Sequence, residues 1–321
     1  MQAIAVLTSG GDAPGMNACI RAVTRAALHR GATAWGVQDG FDGLVHQRME
    51  PLTSRGVAGI LQRGGSILGA GRCEEFFHDT VRRQCLAFLR EQGVEGLVVI
   101  GGDGSLQAAQ EIHKLGFPVI TVPGTIDNDM PGTDRTIGAY TAVNTAMEAI
   151  DRLRDTASAH HRAMIVEVMG RNSGYIAVRS GLAAGAELII TPERPISLDE
   201  VFQEMEKVER LGKRHFVVVL AEGAQWDAAE LTRLINTAEN AYEARYTVLG
   251  YTQRGGSPTA LDRILATRMG VAAVDALWEG MSDMLVCWRE GQIVVLPVDR
   301  LPPRSDPWAD QMDRVFEITD T

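Results

Sequence analysis

The chain has 321 residues, 45% apolar and 22% charged, enough for one large or two medium domains and too apolar for a disordered tail. Its 31 Lys+Arg against 41 Asp+Glu give a net charge of −10, which argues against general nucleic-acid or anionic-membrane binding but leaves room for a local arginine cluster around a small anion. The four cysteines, Cys19, Cys73, Cys85 and Cys287, form no C-x-x-C pair and no metal spacing, so neither a disulfide framework nor a zinc site is expected.

In chain order, strands are expected at Ile4–Thr8, Ala34–Val37, Leu97–Ile100, Val119–Val122, Met164–Val168, Leu188–Thr191, Phe216–Leu220 and Met284–Val286. Helical patterns lie at Gly15–His29, Thr80–Gln92, Ser105–Leu115, Ala139–Asp155, Leu198–Leu211, Ala228–Ala244 and Ala260–Leu277. Apolar strands alternating with helices predict an α/β fold, a mostly parallel sheet covered on both faces. The proline-bearing stretch Leu301–Pro307 reads as a connector to a short last segment. The longest apolar runs, such as Phe216–Ala221, are strand length, so nothing is expected to span a membrane. The chain starts on a strand without a basic leader, which predicts a soluble cytoplasmic protein.

Parallel sheets bind ligands at the carboxyl ends of their strands, so four loops carry the chemistry. The first is T-S-G-G-D-A-P-G-M-N, Thr8 to Asn17, between a strand and a long helix. Glycines admit a ligand to the backbone there, and the helix start offers free N–H groups to an anion. The second is G-G-D-G-S, Gly101 to Ser105. Ser105 is its expected N-cap, and Asp103 is placed to hold Mg²⁺ beside phosphates. The third is P-G-T-I-D-N-D, Pro123 to Asp129. If extended, it points its two carboxylates to one side, one to take a hydroxyl proton and the other toward a metal. The fourth is M-G-R, Met169 to Arg171, where an arginine behind a glycine can reach a transferring phosphoryl group. Arg162, Arg245 and Arg254 stand in or beside comparable contexts. Each feature also has a plainer reading, as a turn, a cap or a surface charge. Together they suggest phosphoryl transfer between anionic substrates. P-loop, G-x-G-x-x-G and H-E-x-x-H patterns are absent.

The four loops and Q-R-G-G-S-P at Gln253–Pro258, in this order, resemble the bacterial 6-phosphofructokinases over most of the chain. The resemblance implies two lobes, each a mostly parallel sheet covered by helices. A nucleotide-binding lobe would span 1–138 plus about 251–301, and a sugar-phosphate lobe 139–250 plus about 302–321. It implies transfer from Mg²⁺-ATP to the 1-hydroxyl of fructose 6-phosphate, a step of glycolysis, in an allosteric homotetramer. Asp127 is then the base, with Thr125 beside it, and Arg171 and Arg72 stabilise charge on the phosphoryl. Gly11, Arg72, Cys73, Gly102, Asp103, Gly104 and Ser105 match the ATP site, and Asp103 and Asp129 the metal. Thr125, Asp127, Met169, Gly170, Arg171, Glu222, Tyr251 and Arg254 match the sugar site. Arg162 and Arg245 match arginines offered across a subunit interface.

Glycines at 104 and 124 stand where pyrophosphate-dependent members carry Asp and Lys. A carboxylate at 104 would crowd and repel the α-phosphate of ATP, so ATP is the favoured donor. Alternatives are a pyrophosphate-dependent or relaxed-donor enzyme, or a silent subunit that only binds nucleotide or sugar phosphate. Tyr251 replaces a usual histidine, and Phe41, Cys73, Phe77 and Ala108 are expected around the adenine. Arg21, Arg25, Arg154, Glu187, Lys213 and His215 match an effector pocket. Ser54, Ala58, Gly59 and Leu211 depart from that pocket, which predicts a weak or altered response to effectors.

Overall fold

In the computed structural model, which describes residues 1–71, 73–240 and 242–304, the apolar run Ala3–Ser9 forms β1 with every residue buried. There follow α1 (Met16–His29), β2 (Thr33–Val37), α2 (Phe41–Val45), β3 (Met49–Leu52), α3 (Asp79–Glu91), β4 (Gly96–Gly101), α4 (Asp103–Lys114), β5 (Val119–Thr125) and β6 (Ile137–Gly138). Helix α5 (Ala139–His160) leads to β7 (Arg162–Val168), α6 (Tyr175–Ala184), β8 (Leu188–Ile190), α7 (Leu198–Arg210), β9 (Phe216–Ala221), α8 (Ala228–Thr237) and β10 (Glu243–Val248). Then come α9 (Ala260–Trp278), β11 (Met284–Arg289) and β12 (Gln292–Pro297). The chain forms two compact units: Met1–Thr141 with the described residues from Arg254 onward, and Ala142–Gln253.

The first unit is built on one sheet of order β12-β11-β5-β4-β1-β2-β3, with β6 paired to β5. Its inner strands run parallel, and β12 and β3 close the edges antiparallel. Period-2 alternation sends Ala5, Leu7, Leu97 and Val99 into a core with Leu44, Leu86 and Ile112. Ile4, Val6, Val98 and Ile100, equally buried, line the other face, where α1 and α9 pack. Each such aliphatic side chain contributes roughly 1.5–3 kcal/mol by leaving water. The second unit has a four-stranded, all-parallel sheet of order β10-β7-β9-β8, cored by Ile165, Met205, Phe216, Val218 and Leu231.

The expected strands and helices are present, with differences that have physical causes. The helical pattern over Ala228–Ala244 breaks after Thr237, and Glu243–Val248 is an edge strand. The Asn236 side chain exchanges two hydrogen bonds with the Ala244 backbone and so supports the strand instead of prolonging the helix. Helix α4 begins at Asp103 behind Gly102, so Ser105 is not its cap but lies buried inside its first turn. Helix α6 escapes sequence patterning because Gly181 sits within it, where a Cβ would press on Ile189 at 2.8 Å. Strands β3, β6, β10 and β12 are short or at sheet edges, where alternation carries little signal. The segment expected after Pro307 lies outside the described residues, as does Arg72.

Candidate active site

Topology places the loops. In the first sheet the chain runs from β1 outward to β2 and β3, then returns to β4 on the other side of β1. The crevice at such a reversal is where open α/β sheets hold ligands. Register aligns the strand ends: Ser9 pairs with Gly101, and Gly101 with Pro123. Hence T-S-G-G-D, G-G-D-G-S and P-G-T-I-D-N-D all leave the sheet at one level.

The two ends of the first loop hold a second loop. Thr8 Oγ1 meets Ser66 Oγ at 2.6 Å and donates to the Gly69 carbonyl. Buried Asn17 donates to the Arg63 and Gly65 carbonyls and accepts from Ile67 N–H at 2.8 Å. These bonds shape the stretch leading into Gly69–Cys73. Between them, Gly11 lies against Arg254, where a Cβ would sit 3.0 Å from Nη1. The residues expected around adenine diverge. Phe41 is buried, stacking on Phe76 at 4.3 Å between centroids, and Ala108 is buried in the same core. Cys73 is half-buried against that core, while Phe77 is 70% exposed.

At the start of α4, Asp103 and Gly104 are exposed and Gly102 is half-exposed. The Asp103 carboxylate accepts from Gln107 Nε2 at 2.7 Å and faces outward with hard oxygen donors. No group of three or more His, Cys, Asp or Glu is gathered for a metal among the described residues. Mg²⁺ takes one or two carboxylates and completes its shell with substrate oxygens and water, so the outward-facing Asp103 carboxylate has donor chemistry that fits it. The surroundings of Gly104 and Gly124 differ. A Cβ at Gly104 meets open space, whereas one at Gly124 would press on Ile100 and Met16 at 3.0 and 3.1 Å.

The third loop is not extended. Asn128 has φ +49°, so the chain turns between Asp127 and Asp129, and the simple same-side rule does not apply. Asp127 is buried and Asp129 half-buried. Asp127 N–H donates to Thr125 Oγ1 at 3.2 Å. Buried Asp262, at the start of α9, secures the neighbouring chain. Its carboxylate accepts from Gly138 N–H at 3.0 Å, Thr141 N–H at 2.8 Å and Thr141 Oγ1 at 2.6 Å. Burial pushes this carboxyl up, against the pull of those hydrogen bonds.

In the second unit, M-G-R leaves β7 beside Glu222, which follows β9. Gly170 has φ +146°, and a Cβ there would lie 2.4 Å from the Ser173 carbonyl, so only glycine fits the turn. Arg171 itself has φ +50° and is exposed. Glu222 holds the turn by accepting from Gly170 N–H at 3.3 Å and Arg171 N–H at 3.1 Å. Fully buried Gln253 accepts from Met169 N–H at 3.3 Å. Tyr251, in the turn after β10, is 77% exposed. Arg162 and Arg245 lie elsewhere: both pair with Glu243 near the amino ends of β7 and β10, at the opposite edge from Arg171. Within one chain they do not join the M-G-R turn.

Of the expected effector residues, Arg21 and Arg25 share α1 one turn apart. Burial, then the Arg25 charge, holds Arg21 below the usual guanidinium range. In the second unit, Glu187 Oε1 lies 3.5 Å from Lys213 Nζ and 3.4 Å from His215 Nε2. Arg154 reaches Gly185, where a Cβ would sit 3.6 Å from its Nη1. Leu211, one of the departures, is exposed. Sequence reasoning passed over Asn17, Asn128, Thr136, Gln253 and Asp262, which bind backbone; several lie inside motifs already singled out.

Two mostly parallel sheets, with glycine-rich turns and carboxylates beyond the carboxyl ends of their strands, define an α/β protein. Residues 3–277 match the family described as Phosphofructokinase. A Lysinibacillus sphaericus protein named ATP-dependent 6-phosphofructokinase is 50% identical over 294 residues, 92% of each chain. Another from Thermus thermophilus, named ATP-dependent 6-phosphofructokinase 1, is 50% identical over 299 residues, 93% of each chain. Phosphofructokinase from Saccharomyces cerevisiae superposes with a TM-score of 0.87 at 35% identity, over all of this chain and 47% of the yeast chain. A pyrophosphate-dependent phosphofructokinase from Marinobacter aquaeolei has a TM-score of 0.84 at 22% identity, over 95% of this chain and 86% of the other, a likeness of fold alone. The chain belongs to the phosphofructokinase family.

Proposed function

We propose that this chain transfers the γ-phosphoryl of ATP to the 1-hydroxyl of fructose 6-phosphate, giving fructose 1,6-bisphosphate and ADP, the reaction of an ATP-dependent 6-phosphofructokinase. The observation that carries the reading is identity at about half of all positions, over more than nine-tenths of the chain, with enzymes bearing that name.

In this reading Asp127 takes the proton of the 1-hydroxyl as its oxygen attacks the γ-phosphorus, with Thr125 beside it. Arg171 supplies positive charge to the transferring group, and so does Arg72, which lies outside the described residues. Gly11, Cys73 and Gly102–Ser105 receive the nucleotide. Met169, Gly170, Glu222, Tyr251 and Arg254 receive the sugar phosphate, with Glu222 acting through the turn it holds. Arg162 and Arg245 serve a neighbouring subunit of a homotetramer; their place at the far sheet edge supports that. Asp103 and Asp129 would hold Mg²⁺, whose charge offsets that of the phosphates. Arg21, Arg25, Arg154, Glu187, Lys213 and His215 serve anionic effectors, with a weak or altered response. The protein works in glycolysis in the cytoplasm. The described residues include no helix long and apolar enough to cross a membrane.

The test is to offer fructose 6-phosphate and Mg²⁺ with either ATP or pyrophosphate and to follow fructose 1,6-bisphosphate. Turnover with ATP alone is expected; turnover with pyrophosphate alone, or with neither, defeats the reading. The open space at Gly104 sharpens it. Gly104→Asp should fold normally and lose about 100-fold in kcat/KM for ATP, by placing a carboxylate against phosphate charge.

Thiol labelling tests the nucleotide assignment independently. Burial pushes Cys85 up to about 11 and Cys287 up to about 12, and it raises Cys19 as well. Since thiolates are the reactive form, half-buried Cys73 should label at least tenfold faster than the other three at pH 8. Saturating ATP should slow that labelling several-fold. Peptide mapping by mass spectrometry reads both, and indifference to ATP would remove Cys73 from the site.

A further inference from the structure

The turn that carries Asp127 and Asp129 is held by the residue between them. Asn128 is buried at φ +49°, a left-handed conformation that Asn tolerates better than most side chains. Its Oδ1 accepts from Thr136 N–H at 2.7 Å and lies 3.1 Å from Thr136 Oγ1. Its Nδ2 donates to the Asp134 carbonyl at 3.1 Å. Fully buried Thr136 shares its one hydroxyl hydrogen with the Thr125 carbonyl at 2.6 Å. The carboxamide thus ties the loop to the 134–136 strip, and Thr136 ties that strip back to Thr125.

The strip is itself anchored. Strand β6 pairs with Gly124 and Thr125 immediately after it. Asp134 N–H donates to the Trp288 carbonyl at 2.8 Å, and Trp288 N–H donates to Thr133 Oγ1 at 2.9 Å. Glu290 N–H donates to Asp134 Oδ2 at 2.9 Å. The β11–β12 hairpin therefore backs the strip that holds Asn128.

We propose that Asn128, acting with Thr136, is a positioning residue: it sets the direction of the Asp127 carboxylate without touching substrate. The inference rests on the reading of Asp127 as the base. A donor and an acceptor are both required at 128, because the groups it faces are a carbonyl and an N–H. Aspartate has the right size but no donor, and would set a carboxylate oxygen against the Asp134 carbonyl. Glycine accepts the positive φ but makes neither bond, and alanine meets neither demand.

The variants Asn128→Gly, Asn128→Ala and Asn128→Asp, with Thr136→Val and Thr136→Ser, separate these demands. A misplacement near 1 Å costs about 100-fold in rate. Expected results are kcat lowered at least tenfold in Asn128→Gly, and more in Asn128→Ala and Asn128→Asp. KM for fructose 6-phosphate should stay within about threefold, since a positioning loss falls on the transition state. Thr136→Val should reproduce the loss of kcat, and Thr136→Ser, which keeps the hydroxyl, should recover most of it. Circular dichroism and cooperative melting identify the folded fraction, to which kcat is normalised. Asn128→Gly and Thr136→Val with kcat within twofold of wild type would overturn the proposal while leaving the function intact. A wild-type protein that phosphorylates no fructose 6-phosphate would overturn both.

Discussion

Asp127→Asn is expected to reduce kcat by about 10²–10⁴-fold, the usual worth of a positioned general base. The substitution is nearly isosteric at a buried position, so the turn around it should survive. Its effect should fall on kcat, with KM for both substrates close to wild type, because the proton moves only as the new bond forms. Steady-state kinetics with Mg²⁺-ATP, and direct binding of fructose 6-phosphate to the variant, separate the two. Unchanged turnover would remove Asp127 as the base. Loss of sugar binding at unchanged maximal rate would make it a binding group.

Asp262→Ala is expected to be the most destabilising of these substitutions, by about 3–5 kcal/mol. The carboxylate is fully buried, and its removal leaves two backbone N–H groups, of Gly138 and Thr141, without an acceptor. Each such buried donor costs roughly 1–3 kcal/mol, and the bond from Thr141 Oγ1 is lost besides. A loss of this size lowers the melting temperature by about 10 °C. Asp262→Asn should recover only part of it, since its amide N–H₂ would face donors on one side. Differential scanning calorimetry reads both variants. A shift under 2 °C would mean that water or a backbone movement satisfies the exposed N–H groups. Because Gly138 pairs with Thr125, the same variant should also lower activity at temperatures where it remains folded.

The two expected results rest on different kinds of legibility. Asp127 stands out in sequence because two acids framed by Pro, Gly and Thr at a strand end are an unusual concentration of chemistry. Asp262 does not, since a lone acid at a helix start looks like any capping residue, and its partners lie about 120 positions away in the chain. Gln253 shows the same limit. It lies inside a recognised motif, but its bond to Met169 appears only when β7 and the turn after β10 are brought together.

What the sequence determined by itself was the alternation of buried strands with helices, the loops that carry glycine, acid and arginine, and through them the family. Those features are local: a strand's apolar run, a glycine's freedom at positive φ and a helix start's open N–H groups are written in consecutive residues. Tertiary structure alone decided the rest. It levelled the three loop starts at Ser9, Gly101 and Pro123, turned the chain at Asn128, and set Glu222 beneath Arg171. It also sent Arg162 and Arg245 to the far edge of their sheet. Strand order, register and the partner of a buried carboxylate depend on contacts between distant segments. Their energies come from packing and desolvation across the sheet, which no window of consecutive residues contains.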